Sequence, residues 1–374
     1  MNTPLRIAFC TDGVFPHTVG GMQRHSRLLV EELARRPDVE LEVIHPHAER
    51  VFAGSPGVKE LSVAPQDRER MYLPECYRYS QRVAAQLTNG SYDVVYSQGL
   101  SVWHSIEQIA SPVVLNPHGL ESFQAFGWSA HLIGFPFRVV FRHLFRKASR
   151  VVSLGGRLTP ILHKVVGGDR SKVVCLPNGV NVPSQPRKHA AMSDHSRFLF
   201  VGRYARLKGI QELNRAILSS DVHDGMEFDF VGPIPETLKV HRKHVRYHGL
   251  VRDDALLASL YSSADALVCP SLAEGMPTVI LEAMAYGLPI IATDVGATCE
   301  LVDERNGFLI PPGNSEALKQ ALLKFHSLTS AAKAALASRS HAKVMERFTW
   351  PKVAEAHLDL FRSLARERLH GSAG

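Results

Sequence analysis

Short runs of apolar residues recur along the chain, each followed by a loop and a stretch of helical spacing. In the first half they fall at residues 5–10, 39–43, 93–96, 112–115 and 150–153. Within the second run Val39, Leu41 and Val43 alternate with Glu40 and Glu42, as in a strand. From Met22 the spacing turns helical, with Met22, Leu29, Val30 and Leu33 on one face and Arg24, Arg27 and Glu31 on the other. A second series begins at residues 198–201 and continues at 228–231, 245–248, 266–268, 290–292 and 308–310. Alternation of strand and helix over this length predicts an α/β protein with two doubly wound parallel sheets. The polar, proline-bearing run 181–189 separates the series and predicts domains at 1–183 and 190–347. A chain of 374 residues suits two domains at roughly 150 residues each.

The most informative stretch follows the apolar run 266–270. It contains Glu274, Gly275, Met276, Pro277, Thr278, Val279 and Glu282, and leads into a helix that Gly287 and Pro289 end. Pro277 suits the first helical turn, where the amide it lacks has no intrahelical partner. The amides of Met276, Thr278 and Val279, with the positive end of the helix dipole, form a cradle for phosphate. Glu274 and Glu282 would repel phosphate, so they fit hydroxyl groups on either side of it. Phosphates in the middle and polyols at both ends describe a nucleoside diphosphate sugar. Two glutamates at this spacing also occur on solvated helices, but Gly275, Pro277 and the flanking strands favour a site.

Three further loops stand at strand ends. Gly20 and Gly21 lie between the first strand and its helix, where backbone can approach a diphosphate; a loop requiring positive φ is the alternative. The spacing is not G-x-G-x-x-G, which argues against a nicotinamide cofactor. His118 follows the strand at 112–115, and ligands of such sheets bind beyond the carboxyl ends of strands. Arg203 and Lys208 follow the strand at 198–201 and offer a planar fork and a compact charge to phosphate oxygens.

The stretch from Glu274 to Glu282 resembles the E-x7-E motif of family-4 glycosyltransferases, which are retaining enzymes of the GT-B fold. The run from Gly202 to Lys208 is similar to that family's G-R-x4-K segment. The resemblance implies two Rossmann-like domains facing a central cleft, the first binding the acceptor and the second the donor. It also implies a last helix, from Phe348 and Trp350, that crosses back so that 348–374 packs on the first domain. Among site residues it implies that Glu274 contacts the transferred sugar, that Glu282 contacts the ribose, and that Gly20 and Gly21 face the donor phosphates and acceptor. His118 would lie near the reacting carbon, with Arg203 and Lys208 on the departing diphosphate. Retention by front-side attack follows from the resemblance alone, with the leaving phosphate taking the acceptor's proton.

Composition narrows the picture modestly. The net charge of +7 suits anionic partners, yet no zinc-finger or RNA-recognition pattern is present, so nucleic acid is not expected. No run approaches the 18 or so apolar residues of a membrane span, and the first strand begins at once, which points to a cytoplasmic protein. Five scattered cysteines suggest buried thiols, four of them in or beside apolar runs, and no zinc site. No D-x-D triad occurs, so neither metal nor cofactor is expected, with Arg203, Lys208 and the helix start supplying the positive charge. Residues 137–150 read as a basic helix, with Arg138, Arg142, Arg146 and Arg150 recurring every four residues. A solvated face explains it; the sharper expectation is contact with an anionic membrane surface or a lipid-linked glycan acceptor. Two other functions use the same features: a sugar-nucleotide 2-epimerase, revealed by epimerised donor without acceptor, and a silent sugar-nucleotide binding protein, which shows no turnover.

Overall fold

The computed structural model describes residues 3–18, 20–55, 57–67, 69–124, 132–183, 195–219, 221–222 and 225–371. The chain divides into two compact units, one of Met1–Gly179 with Trp350–Gly374, the other of Val180–Thr349.

The sheet of the first unit contains β1 (Leu5–Cys10), β2 (Val39–His45), β3 (Val58–Ser62), β4 (Val94–Gln98), β5 (Val113–Asn116), β6 (Arg150–Ser153) and β7 (Val173–Cys175). All are parallel, in the order β3-β2-β1-β4-β5-β6-β7. Its helices are α1 (Gly21–Leu33), α2 (Tyr72–Leu87), α3 (Phe135–Lys147) and α4 (Leu158–Val165). The strands read as continuous apolar runs because helices cover both faces of the sheet. Ile7 and Phe9 of β1 enter a core with Leu29 and Leu33 of α1, while Ala8 and Cys10 are buried too.

The second unit repeats the plan. It has β8 (Ser196–Val201), β9 (Met226–Val231), β10 (Val245–Gly249), β11 (Ala266–Cys269), β12 (Ile290–Thr293) and β13 (Gly307–Ile310). These are also parallel, in the order β10-β9-β8-β11-β12-β13. Its helices are α5 (Ile210–Ile217), α6 (Asp254–Ser263), α7 (Thr278–Ala285), α8 (Thr298–Leu301), α9 (Ser315–His326) and α10 (Ser330–Arg347). Phe198 and Phe228 stack at 5.2 Å in its core, with Phe325 of α9 edge-on at 5.6 Å. The final helix, α11 (Trp350–Gly371), contributes Trp350, Val353, Leu358, Phe361 and Leu364 to the core of the first unit.

Several sequence expectations change. Strands β3 and β7 were not anticipated, because their residues are only partly buried and carry no long apolar run. The basic helix ends at Lys147, and Arg150 opens β6 instead, where it pairs with Glu367 at 3.0 Å. Arg138 is buried and donates to the Ser122 carbonyl, so of the four arginines only Arg142 and Arg146 are exposed on the helix. Cys10, Cys76 and Cys269 are buried, whereas Cys175 is exposed and Cys299 half-buried, one fewer in the interior than expected. The expected linker extends outside the described residues from 184 onward, and the first residues expected of the second domain, 190–194, lie outside them too.

Candidate active site

Each sheet has one point at which the strand order reverses, between β1 and β4 in the first unit and between β8 and β11 in the second. Connections leave such a pair towards opposite faces, so the loops beyond the carboxyl ends diverge and leave room for a ligand. The predicted residues of the second unit gather at that place. Arg203 and Lys208 lie after β8; Glu274 and α7 come after β11.

Two glycines fix these loops. Gly209, with φ +68°, caps α5, and a Cβ there would stand 1.8 Å from the Pro270 carbonyl oxygen. Gly296, with φ +53°, brings the loop after β12 against the backbone of Glu274, where a Cβ would lie 2.2 Å from the carbonyl oxygen. Both conformations favour glycine, and the approach leaves no space for a side chain. Amide bonds close the same contacts: Leu272 donates to the Leu207 carbonyl at 2.7 Å, and Ala297 to that of Gly275 at 2.7 Å. Three loops are thereby locked together before any side chain is considered.

Within this frame Lys208 Nζ lies 2.6 Å from Glu274 Oε1. The same carboxylate oxygen accepts from Ser271 Oγ at 2.7 Å. Glu274 is buried, so the nearby ammonium and hydroxyl compensate a charge that would otherwise be costly there. Arg203 stands exposed at the start of its loop. Its neighbour Arg206 turns instead to Glu212 in a two-pronged ion pair at 2.7 and 2.9 Å, which braces the loop on α5.

Pro277 is the residue capping α7, one place earlier than expected, with Thr278 and Val279 half-buried in its first turn and Gly275 and Met276 buried before it. Glu282 is half-buried and its Oε2 accepts from the Tyr261 hydroxyl at 2.8 Å. Neither Ser271 nor Tyr261 was singled out from sequence. Ser271, three residues before Glu274, was within reach of a turn argument; Tyr261, on another helix, gave no signal.

The corresponding place in the first unit is less charged: beside it Asp12 accepts from Gln23 Nε2 at 3.3 Å, and Thr11, Ser26 and Gln98 there are neutral. Gly20 caps α1 in an extended conformation with φ 169°, and Gly21 is helical, so neither needs positive φ and that alternative is overturned. A Cβ on Gly21 would meet nothing within 4 Å. Across the β1–β4 junction Ser26 Oγ donates to Gln98 Oε1 at 2.6 Å and lies 3.1 Å from Thr11 Oγ1.

His118 follows β5, its amide donating to Asn116 Oδ1 at 2.9 Å, and its φ is +59°. Non-glycine residues adopt that conformation at a cost of about 1–3 kcal/mol, and such strain collects at functional sites. The residue is half-buried, and its Nε2 is buried without a hydrogen-bond partner among the described residues, with the His25 ring centroid 4.8 Å away. His357 and Trp350 of α11 complete a buried cluster around His25, at 6.1 and 5.3 Å. Burial, then the neighbouring His357, pushes the His118 pKa down to about 3, so the ring is neutral near pH 7 and cannot store a proton. His25 had a legible signal, since it shares the buried face of α1 with Met22 and Leu29.

Among the described residues no group of three or more His, Cys, Asp or Glu side chains has a metal-binding arrangement. None of the described helices is long and apolar enough to cross a membrane.

Residues 19–183 match the sequence-family model described as Glycosyltransferase Family 4, and residues 195–327 match that of Glycosyl transferases group 1. A Bacillus subtilis (strain 168) glycosyltransferase assigned to teichuronic acid biosynthesis is 32% identical over 50% of this chain; the chain spans about half of that relative's length, 49%. A phosphatidyl-myo-inositol mannosyltransferase of Mycobacterium leprae (strain TN) is 27% identical over 92% of the chain and 94% of its own length. Among solved structures, sucrose-phosphate synthase from Thermosynechococcus elongatus superposes with a TM-score of 0.78 at 20% identity, covering 96% of this chain and 99% of that one. Two consecutive glycosyltransferase models thus account for well over half of the sequence, and the chain belongs to the glycosyltransferases of family 4 and group 1, with the α/β GT-B fold.

Proposed function

We propose that the protein transfers a hexosyl group, with retention, from a UDP- or GDP-sugar to a glycan or lipid-linked glycan in bacterial surface polysaccharide assembly. The observation that carries this reading is the Lys208–Glu274 contact of 2.6 Å at the β8–β11 junction. It puts a cation and a carboxylate side by side at a ligand-binding strand end, ahead of a helix whose first amides suit phosphate.

In the proposed reaction the acceptor oxygen bonds to the anomeric carbon on the face from which the phosphate oxygen departs. The acceptor's proton passes to that oxygen, and a nucleoside diphosphate leaves. Arg203 and Lys208 offset the negative charge that grows on the diphosphate, so they lower the barrier more than they aid binding. Glu274 holds sugar hydroxyls, and Glu282 holds the ribose with its orientation set by Tyr261. Gly275, Met276, Pro277, Thr278 and Val279 form the donor cradle. Gly20 and Gly21 leave room for phosphate and acceptor. His118, neutral, donates or accepts a hydrogen bond at the sugar. With these cations in place no divalent metal is required.

The apolar rim of the first unit suits a lipid-linked acceptor and a cytoplasmic protein resting on an anionic membrane. Leu132, Ile133 and Phe135 are 65%, 74% and 55% exposed, beside the exposed Met71 and Tyr72. Arg142 and Arg146 continue the same helix. Sedimentation with phosphatidylglycerol vesicles, but not with phosphatidylcholine alone, is the expected behaviour.

A panel of UDP, GDP and ADP sugars, scored by thermal stabilisation and by release of nucleoside diphosphate, tests the central reading. One donor should stabilise and turn over, with activity retained in EDTA. Binding by none of them would overturn the proposal, and an absolute requirement for Mg²⁺ would overturn its metal-independent step.

A further inference from the structure

The segment 99–112 leaves the carboxyl end of β4 and returns to the amino end of β5 along the flank of the first unit. It carries an aromatic pair held in a fixed geometry. Trp103 meets Tyr77 of α2 edge to face, with centroids 5.0 Å apart and planes at 79°. His104 locks both in place: its Nδ1 lies 2.9 Å from the Tyr77 hydroxyl and its amide donates to Ser80 Oγ at 2.9 Å. Tyr77 remains 37% exposed and Trp103 half-buried. The next residue, Ser105, has φ +54°, an uncommon conformation for a residue other than glycine, asparagine or aspartate.

This strained turn lines two adjoining cavities. One, of about 530 Å³, is bounded by Tyr77, Trp103, Val139 and His143; the other, of about 510 Å³, by Gln81, Thr88, Ser111 and Arg368. His104, Ser105 and Gln108 belong to both, so the two are successive parts of one trough. Each volume falls within the usual range of small-molecule sites, roughly 300–1,000 Å³. Neither contains a residue of the candidate active site described above, and the second reaches Tyr92 and Val95, towards the amino end of β4.

We propose that this trough binds an oligosaccharide, a stretch of acceptor or product glycan remote from the reacting end. The inference rests on the glycosyltransferase reading. A pyranose presents C–H groups on one face and hydroxyls around its rim. The electron-rich face of Trp103 or Tyr77 suits the former. Side chains with planar polar ends suit the latter, and Gln81, Gln108, His104 and Arg368 are of that kind. The Arg368 guanidinium is anchored, donating to the Tyr92 carbonyl at 2.6 Å and to Ser111 Oγ at 3.2 Å. An acyl chain is a poor occupant, because it would strip water from these amides and the guanidinium without replacing the hydrogen bonds. The one carboxylate on the lining, Glu107, lies 3.7 Å from Lys147 and 4.0 Å from His143, so acidic sugars are not repelled.

Native affinity electrophoresis tests the proposal, with gels containing a neutral glucan (dextran), a galactomannan or a uronic-acid polymer (alginate). The full-length protein should be retarded by at least one of them. Trp103→Ala, or the exposed Gln108→Ala should the first fail to fold, should weaken that retardation about tenfold or more, the loss expected for one anchoring side chain. Glu274→Ala should be retarded as the wild type is. No retardation in any gel, or equal retardation of wild type, Trp103→Ala and Gln108→Ala, overturns the proposal. Self-association abolished by Trp103→Ala, without glycan binding, would show a second copy to be the occupant instead. Thermal stabilisation by UDP or GDP, measured on the same preparation, separates the two readings: nucleotide binding without glycan binding removes only this one.

Discussion

The two strand-order reversals share one topology and differ in chemistry. At β8–β11 the loops carry Lys208 against Glu274 and Arg206 against Glu212, with bonds of 2.6 to 2.9 Å between charged groups. At β1–β4 the corresponding groups are a threonine, a serine and a glutamine, with Asp12 as a single carboxyl that accepts from Gln23 Nε2 and, among the described residues, has no cation paired with it in the manner of Lys208, and the imidazoles nearby are kept neutral by burial. Topology therefore offers the same crevice in both units but does not decide what it can bind. The charged site suits a diphosphate, whose charge must be matched. The mostly neutral one suits hydroxyl groups, which need orientation more than compensation.

The strongest test of that division is a pair of substitutions. Lys208→Ala should slow nucleoside diphosphate release by about 10²–10³-fold, the scale of losing one donor that faces developing charge. Ser26→Ala removes a neutral hydrogen bond of ordinary net worth, about 1 kcal/mol, and should cost about tenfold or less. Both rates are to be measured with the donor that the sugar-nucleotide panel identifies. Equal losses would mean that the charged junction has no special part in the chemistry.

Next in size is Gly296→Ala. The positive φ alone should cost about 1–3 kcal/mol, and the contact of the new Cβ with the Glu274 carbonyl must displace the loop after β11. A lower melting temperature together with lost stabilisation by nucleotide is expected in calorimetry. Lost stability with intact nucleotide binding would show that the loop clamp supports the fold and not the site.

Acid should separate the units. His25, His118 and His357 all titrate below the ordinary histidine range, chiefly through burial, with His118 and His357 lowering His25 further and His357 lowering His118; His118 falls to about 3 and His357 to about 4. The unfolded chain takes up these protons near pH 6.5, the folded unit only much lower, so their contribution is complete above 6.5 and lost as pH falls. Asp12, pushed up to about 6 by burial, acts in the opposite sense and offsets part of the loss. In the second unit Asp303 is held well below the usual carboxylate range by Arg305 and then Lys343, so its stabilisation declines only below about pH 4. All three tryptophans, Trp103, Trp128 and Trp350, lie outside residues 180–349. Urea midpoints read from tryptophan emission should therefore drop between pH 7.5 and 5, and less so in His25→Phe. A flat profile would mean that the histidine cluster takes up its protons without cost.

The sequence was legible wherever one local pattern had one structural solution. Apart from β3 and β7, both sheets could be read from apolar runs because strands covered on two faces tolerate little else, and the loop glutamate and helix cap announced themselves by Gly275 and Pro277. What escaped was non-local. Tyr261 reaches Glu282 across 21 residues, and His357 reaches His25 from the far end of the chain. The basic helix misled because a four-residue period specifies a face without specifying its outside: Arg138 points inward to the Ser122 carbonyl, while Val139 is 50% exposed.

The smallest effect sharpens the comparison most, because it concerns a glycine that the fold does not need. Gly21 is helical, and a Cβ there would meet open space, unlike Gly296, where it would meet backbone. Gly21→Ala should change folding stability by about 0.5 kcal/mol or less, in the favourable direction if alanine's helix propensity is expressed so near the helix start. If Gly21 is kept free of a side chain so that a ligand can approach the first turn of α1, the variant should melt normally yet turn over donor more slowly. Unchanged stability with unchanged turnover would remove the glycine pair from the site and leave the charged junction as the sole carrier of donor recognition.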